Sequence, residues 1–253
     1  MRRFVLLLLP GCLFPSLDDL SASDGSAPDG SNDVVVESSS LDAGDAKVEA
    51  GPFCPQTNAV LCADFDETDG GGYGAAWGYV YAPGTTTVQE SNAFSKSPAF
   101  SLLMSTTSTD YSALARKDIT FVSGVTLEFD VRIAARGDNC SIAHFSNGTG
   151  GLSLNPGATQ TGISEATTLA DGGVDYGGTS NTTFVPTDAW VHVIDDYDRT
   201  KNQLTVTFDG TVAFDYTPTN PEWAQGTTVR VAIGIGSSSN TTMYFDNVVI
   251  RSR

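Results

Sequence analysis

Aromatic side chains are concentrated in one short stretch, YGAAWGYVY at residues 73–81, where their spacing suits sugar binding. Trp77, Tyr79 and Tyr81 occupy every second position, so on a β-strand their rings would lie on one face. Aromatic faces pack against the C–H bonds of sugar rings while neighbouring polar groups bind the hydroxyls. Tyr73 stands in the glycine-rich segment just before them. The same stripe would also suit a core, which is where large aromatic side chains are more often found.

A second aromatic candidate is Trp223, which lies in the polar segment NPEWAQG between Pro221 and Gly226. A tryptophan in such a segment favours a binding role. Trp190 instead opens the alternating segment WVHVI and is predicted to be structural. The ligand-binding residues predicted from the sequence are therefore Tyr73, Trp77, Tyr79, Tyr81 and Trp223.

These side chains need a scaffold, and from Ala59 onward the apolar residues recur with a period of two. Residues 125–133, 204–208 and 229–235 alternate between apolar and mostly polar or small side chains, as half-buried strands do. Asp209-Gly210 interrupts this pattern and indicates a tight hairpin, because both residues tolerate the positive φ of a type I′ turn. No long segment has a helical period. The sequence thus predicts an all-β sandwich or barrel.

Five segments together resemble the concanavalin A-like lectin/glucanase superfamily, and within it the laminin G-like domains. The segments are VLCADFDE (60–67), PAFSLLMS (98–105), VTLEFDVRIA (125–134), DAWVHVIDDYDRTKNQLTVTFDG (188–210) and MYFDNVVIRS (243–252). The resemblance covers about residues 53–253. It implies an antiparallel two-sheet jelly-roll sandwich in which the opening strand pairs with the closing Phe-Asp-Asn-Val stretch.

The resemblance also raises the question of catalysis, because laminarinase-type glycoside hydrolases of this superfamily use a Glu-x-Asp-x-x-Glu pattern. The nearest match contains Glu128 and Asp130, but Ile133 replaces the second glutamate. A retaining glycosidase needs two carboxyl groups about 5–5.5 Å apart. Glu128 and Asp130 alternate with apolar residues, which favours a solvent-facing polar edge. The acidic run at 195–198 is predicted to lie at a strand end that runs into a turn. We therefore predict no catalytic residue.

A calcium site follows from the implied pairing of the first and last strands. Asp64 and Asp66 would then approach Asp246, and carboxylate and carbonyl oxygens suit this cation. Solvated carboxylates are the equal alternative. The two histidines, His144 and His192, stand far apart in strand-like segments and are predicted to be structural rather than zinc ligands.

The start of the chain has the order of an export signal. Arg2 and Arg3 precede an apolar run, and Leu9-Pro10-Gly11-Cys12 resembles the lipobox of bacterial lipoproteins. The resemblance implies removal of residues 1–11 and lipidation of Cys12. The apolar run is much shorter than the about 20 residues of a membrane-spanning helix. A plain secretory signal cut elsewhere and a misassigned start codon are the alternatives.

Three cysteines remain after Cys12. In an exported protein, Cys54 and Cys62 could form a disulfide that closes a small loop at the first strand. Cys140 would then be a buried free thiol. The alternative pairs Cys140 with one of the other two.

Residues 16–51 have the composition of a spacer, with nine acidic residues, one lysine and no aromatic residue. Such a segment cannot bury enough apolar surface to fold, so we predict a disordered, extended linker over residues 12–52. The whole chain carries a net charge of −17. This charge argues against binding to nucleic acid or to an acidic membrane surface, both of which require clustered Lys and Arg.

These observations predict a lipid-anchored protein, exported to the cell surface or outer membrane, whose domain at 53–253 binds a polysaccharide or glycoconjugate without catalysis. Because this fold hosts several functions, two alternatives remain. One is a structural or adhesive protein that binds a protein partner. The other is a glycoside hydrolase or lyase with unrecognised catalytic carboxylates.

Overall fold

The computed structural model describes residues 53, 58–66, 77–97, 99–107, 113–137, 140–147, 149–169, 173–219, 221–236 and 240–253. All of them belong to one compact unit, Val48–Arg253. The export signal, Cys12, the acidic linker, Cys54 and Tyr73 lie outside the described residues, so the predictions for them stay predictions.

Fifteen strands of the described chain form two sheets. Eight of them form the first sheet: β1 (Ala59–Ala63), β3 (Thr87–Ser91), β4 (Ser101–Thr106), β6 (Gly124–Ala135), β11 (Trp190–Asp198), β12 (Gln203–Phe208), β13 (Thr211–Tyr216) and β15 (Thr241–Ser252). Their spatial order is β13-β12-β11-β6-β15-β4-β3, and β1 pairs with β15.

The remaining seven form the second sheet: β2 (Tyr79–Tyr81), β5 (Ala113–Thr120), β7 (Ser141–Ser146), β8 (Gly150–Pro156), β9 (Thr161–Thr168), β10 (Val174–Asn181) and β14 (Thr228–Gly236). Their order is β10-β9-β8-β7-β14-β5-β2. The strand pairs in both sheets are antiparallel.

The core lies between the two sheets, because the alternating strands turn one apolar face inward. In β6 the odd-numbered residues from Val125 to Ile133 have no exposed surface, and in β14 the same holds for Val229, Val231, Ile233 and Ile235. Phe129 and Phe245, on neighbouring strands, pack with ring centroids 5.9 Å apart. The all-β, two-sheet antiparallel jelly-roll sandwich predicted from the sequence is confirmed.

Two local features predicted from the sequence are also present. The hairpin between β12 and β13 turns at Asp209 and Gly210, whose φ angles are 48° and 77°. Strand β1 pairs with β15, with Ala59 opposite Arg251 and Ala63 opposite Val248. The 3-10 helix Pro221–Ala224 packs beside β8 and β14. The described residues contain no helix with the length and hydropathy of a membrane span.

Candidate functional site

One line of residues crosses the outer face of the seven-stranded sheet. Residues directly opposite each other in adjacent strands share a face, and six residues are successive register partners from β2 to β9. This central row consists of Tyr79, Arg116, Ala232, His144, Ser153 and Ser164.

The central row faces away from the core because the adjacent row is buried. Along each strand, the residue next to a member of the central row is at most 2% exposed. These buried neighbours are Ala115, Ile233, Ala143, Leu154 and Ile163. The period of two in strands β5, β7, β8, β9 and β14 thus fixes which polar side chains meet on the outer face.

Exposed aromatic rings lie at one end of the central row. Tyr79 and Tyr81 are 43% and 41% exposed, and their rings are stacked with centroids 6.2 Å apart. The guanidinium carbon of Arg116 lies 4.0 Å from the centroid of the Tyr79 ring. This cation–π contact holds the Arg116 side chain along the sheet surface.

His144 lies near the middle of the central row. Its Nδ1 shares a hydrogen bond of 2.9 Å with Ser153 Oγ, and its Nε2 has no hydrogen-bond partner among the described residues. Burial lowers the pKa of His144 to about 4. The imidazole is therefore neutral near pH 7, and its unpartnered Nε2 is itself buried.

A hollow of about 410 Å³ opens over this part of the sheet. Its wall includes Arg116, His144, Ser153 and Arg230, and its described lining residues include no Asp or Glu. Arg230 is already paired, because its Nε lies 2.9 Å from Asp118 Oδ1. Among the described lining residues, Arg116 is therefore the charged side chain that has no carboxylate partner.

A second hollow of about 580 Å³ lies further along the same sheet, over β8, β9 and β10. Asn155, Ser164 and Tyr176 line it, and Tyr176 is 76% exposed. Asn155 Nδ2 donates a hydrogen bond of 2.7 Å to Ser164 Oγ. Exposed tyrosines therefore stand near both lateral edges of the sheet, and hydroxyl and amide groups lie between them.

The structure divides the aromatic residues predicted to bind ligand. Tyr79 and Tyr81 are exposed on one face, as that role requires. Trp77 and Trp223 are 2% and 0% exposed, so the expectation that they present open rings is wrong. Trp77 lies just before β2 with its side chain in the core. Trp223 lies in the 3-10 helix, and its side chain is also part of the core. Trp190, predicted to be structural, is half-buried at the start of β11.

Sequence reasoning missed Arg116, Arg230, Ser153 and the placement of His144 beside them. The alternation in ALARKDIT and IAHFS does indicate that Arg116 and His144 point away from the core. Their proximity depends on the order β5-β14-β7. No local pattern contains that order, because the three strands are far apart in the sequence.

The acidic pair considered for catalysis lies elsewhere, on the outer face of the eight-stranded sheet. His192 stands between its two members, with Nδ1 3.2 Å from Asp130 Oδ1 and Nε2 3.5 Å from Glu128 Oε1. Asp130 also accepts a hydrogen bond of 2.8 Å from Asn247, and Glu128 pairs with Arg251. Both carboxylates therefore have protein partners.

The three carboxylates predicted to bind calcium also have protein partners. Asp246 accepts a hydrogen bond of 2.7 Å from the backbone N–H of Lys96, and Asp66 accepts one of 2.7 Å from Phe100. Asp64 accepts a longer one from the N–H of Asp66, at 3.4 Å. Among the described residues, no group of three or more His, Cys, Asp or Glu side chains could hold a metal ion. Calcium binding stays a prediction.

Of the two cysteines in the described chain, Cys62 is disulfide-bonded and Cys140 is free and buried. Cys140 Sγ contacts the carbonyl oxygen of Pro156 at 3.2 Å. The free thiol agrees with the expectation for Cys140. The pairing of Cys54 with Cys62 stays a prediction.

No family model matches the chain, and no curated protein matches it. Solved structures do match it in fold. The cellulose induced protein Cip1 is 16% identical, with a TM-score of 0.58, 76% of this chain covered and 97% of that one. An endo-β-1,4-glucuronan lyase from the fungus Trichoderma reesei is 15% identical, with a TM-score of 0.55 and coverage of 72% and 93%.

A glycoside hydrolase family 16 endo-glucanase from Bacteroides ovatus is 12% identical, with a TM-score of 0.52 and coverage of 76% and 99%. At these identities the likeness concerns the fold. The fold is the two-sheet jelly roll that the concanavalin A-like resemblance implies.

Proposed function

We propose that the chain binds a polysaccharide on the outer face of the seven-stranded sheet, without cleaving it. The observation that carries this proposal is the stacked, exposed pair Tyr79 and Tyr81 beside a hollow with polar groups in its wall. Aromatic rings supply flat apolar contact to sugar rings, and Arg116 and Ser153 supply hydrogen bonds to their substituents. The two hollows extend across several strands, which suits a chain of sugars.

Two structural neighbours support a carbohydrate ligand: one is an endo-β-1,4-glucuronan lyase and the other is an endo-glucanase. Binding without cleavage is favoured by the chemistry of the hollow. Glycosidases of the common type need two carboxyl groups beside the scissile bond, and the described residues that line this hollow include none.

We further propose, from the sequence alone, that Cys12 is lipidated and holds the protein on the cell surface or outer membrane. Residues 12–52 would then separate the binding domain from the lipid. An anchored domain of this kind would capture extracellular polysaccharide close to the cell.

The experiment is a polysaccharide array probed with the purified full-length chain and with the double variant Tyr79→Ala/Tyr81→Ala. We expect the variant to lose at least about tenfold in affinity for the ligand that the wild type selects, which corresponds to about 1.4 kcal/mol. Its melting temperature should stay near that of the wild type, because both rings are exposed.

Phe94→Ala is the matched control. Phe94 is 40% exposed and has an arginine stacked on it, with the guanidinium carbon of Arg132 4.0 Å from the ring centroid. Arg132 extends from the outer face of the eight-stranded sheet, so the Phe94–Arg132 stack lies away from the proposed site. Phe94→Ala should therefore bind polysaccharide as the wild type does. The proposal is wrong if the wild type binds no polysaccharide, or if the double variant binds as tightly as the control.

A further inference from the structure

In the part of the chain that the structure describes, the hollow on the seven-stranded sheet contains one unpaired positive charge, that of Arg116, although the molecule as a whole is acidic. The chain has a net charge of −17, yet two arginines and no Asp or Glu stand among the hollow's described lining residues. A neutral polysaccharide would not require this arrangement. A local positive field in an acidic protein favours an anionic ligand.

The two arginines of the hollow are not equivalent. Arg230 donates two hydrogen bonds to the carboxylate of Asp118, one of 2.9 Å from Nε to Oδ1 and one of 3.4 Å from Nη2 to Oδ2. Arg116 has no carboxylate partner among the described residues, and it stacks on the ring of Tyr79. Stacking uses the flat face of a guanidinium group. The N–H groups point outward in its plane, so those of Arg116 can bind a ligand.

We propose that the ligand is a carboxylated polysaccharide, a polymer that contains uronic acid sugars, and that Arg116 binds the carboxylate. This inference rests on the proposed function. The guanidinium group presents a planar fork of N–H donors that matches the two oxygens of a carboxylate. The stack on Tyr79 already holds that fork in place, so less side-chain entropy is lost when the ligand binds.

The other groups of the central row fit the uncharged parts of the same sugar polymer. His144 lies two strands from Arg116 in the row, which places their backbones about 10 Å apart. The hydroxyl of Ser153, which shares a hydrogen bond with His144 Nδ1, suits sugar hydroxyls, which both donate and accept hydrogen bonds. Tyr79 and Tyr81 supply apolar contact beside the arginine. The site can therefore bind the carboxylate, the hydroxyl groups and the ring faces of a sugar polymer at neighbouring positions.

The test compares a polyuronate, such as polyglucuronate, with its carboxyl-reduced form, in which each carboxylate has become a primary alcohol. The full-length wild type should bind the polyuronate about 10- to 100-fold more tightly, the range for losing charge-assisted hydrogen bonds. Arg116→Gln should bind the two polymers within about threefold of each other. Arg132→Gln, the matched control on the other sheet, should keep the full preference.

Each outcome separates this inference from the proposed function. Equal wild-type binding to both polymers overturns the carboxylate assignment and leaves polysaccharide binding intact, and this arm needs no variant to fold. A full preference retained by Arg116→Gln also overturns the role of Arg116. Dextran sulfate bound as tightly as the polyuronate would show recognition of charge in general and overturn the assignment. Binding to neither polymer nor to any neutral glucan rejects the proposed function itself.

Discussion

Asp195 is a carboxylate that faces the core. It follows Val191 and Val193 on the inner side of β11, is 3% exposed, and its Oδ1 has no hydrogen-bond partner among the described residues. Burial, assisted by the neighbouring charge of Asp196, raises the pKa of Asp195 to about 7. A carboxyl group in this position is most stable when it is protonated.

This position predicts a pH-dependent stability. Because the pKa of Asp195 is higher in the folded state than in the unfolded chain, its ionisation destabilises the fold as the pH rises from about 4 to 7. Asp195→Asn cannot ionise, so its stability relative to wild type should increase by roughly 2–4 kcal/mol between pH 4.5 and pH 8. Chemical unfolding at both pH values measures this change.

Asp175→Asn is the control, because Asp175 lies on the exposed strand β10 and its replacement removes the same formal charge. Its stability relative to wild type should change little with pH. Equal pH trends in the two variants would show that Asp195 is not the responsible group.

At the scale of the element, the 3-10 helix Pro221–Ala224 closes the space between the sheets. Its Trp223 ring lies 4.7 Å from the ring of Tyr197 on β11 and 6.5 Å from that of Phe145 on β7. One side chain thus contacts both sheets, in a position with no exposed surface.

Removing this side chain should therefore cost stability rather than ligand affinity. We expect Trp223→Ala to lower the free energy of unfolding by about 3–5 kcal/mol, as other large-to-small core changes do. Trp223→Phe should lose less, since it keeps most of the ring and removes an indole N–H without a hydrogen-bond partner among the described residues. Thermal melts beside binding titrations measure the two effects. If Trp223→Ala loses ligand affinity but melts at the wild-type temperature, Trp223 is a binding residue and the structural role is wrong.

The elements also show what a sequence can and cannot predict here. The alternation over 125–133 and the Asp209-Gly210 turn are local, and both were predicted correctly. The composition of NPEWAQG indicates a loop, but burial of Trp223 depends on rings supplied by distant strands. The acidic run at 195–198 lies at the end of β11 and leads into a turn, as predicted, but the burial of Asp195 was not predicted. The site formed by Arg116 and His144 depends on strand order, which a local pattern does not contain.

At the scale of the whole molecule, the proposal of a surface anchor depends on one cysteine. Cys12→Ser should move the protein from the membrane fraction to the soluble fraction, because a single anchoring residue is proposed and no other membrane attachment. Cys140→Ser is the control, since Cys140 is a buried free thiol in the sandwich. That variant should stay with the membrane. Membrane fractionation of both variants, with mass spectrometry for bound lipid, measures this. A Cys12→Ser protein that stays in the membrane fraction contradicts lipidation of Cys12.

The pairing of β1 with β15 has a consequence for the connectivity of the chain. Ala59 and Arg251 are register partners, so β1 and β15, the first and last described strands, lie side by side. The hairpin at Gly210 offers a natural place for new ends, because a Cβ there would meet nothing within 4 Å. A circular permutant opened at that hairpin would keep the strand pairs on both sides of it. Such a protein would be synthesised from β13 to β12 and should still form the same two sheets.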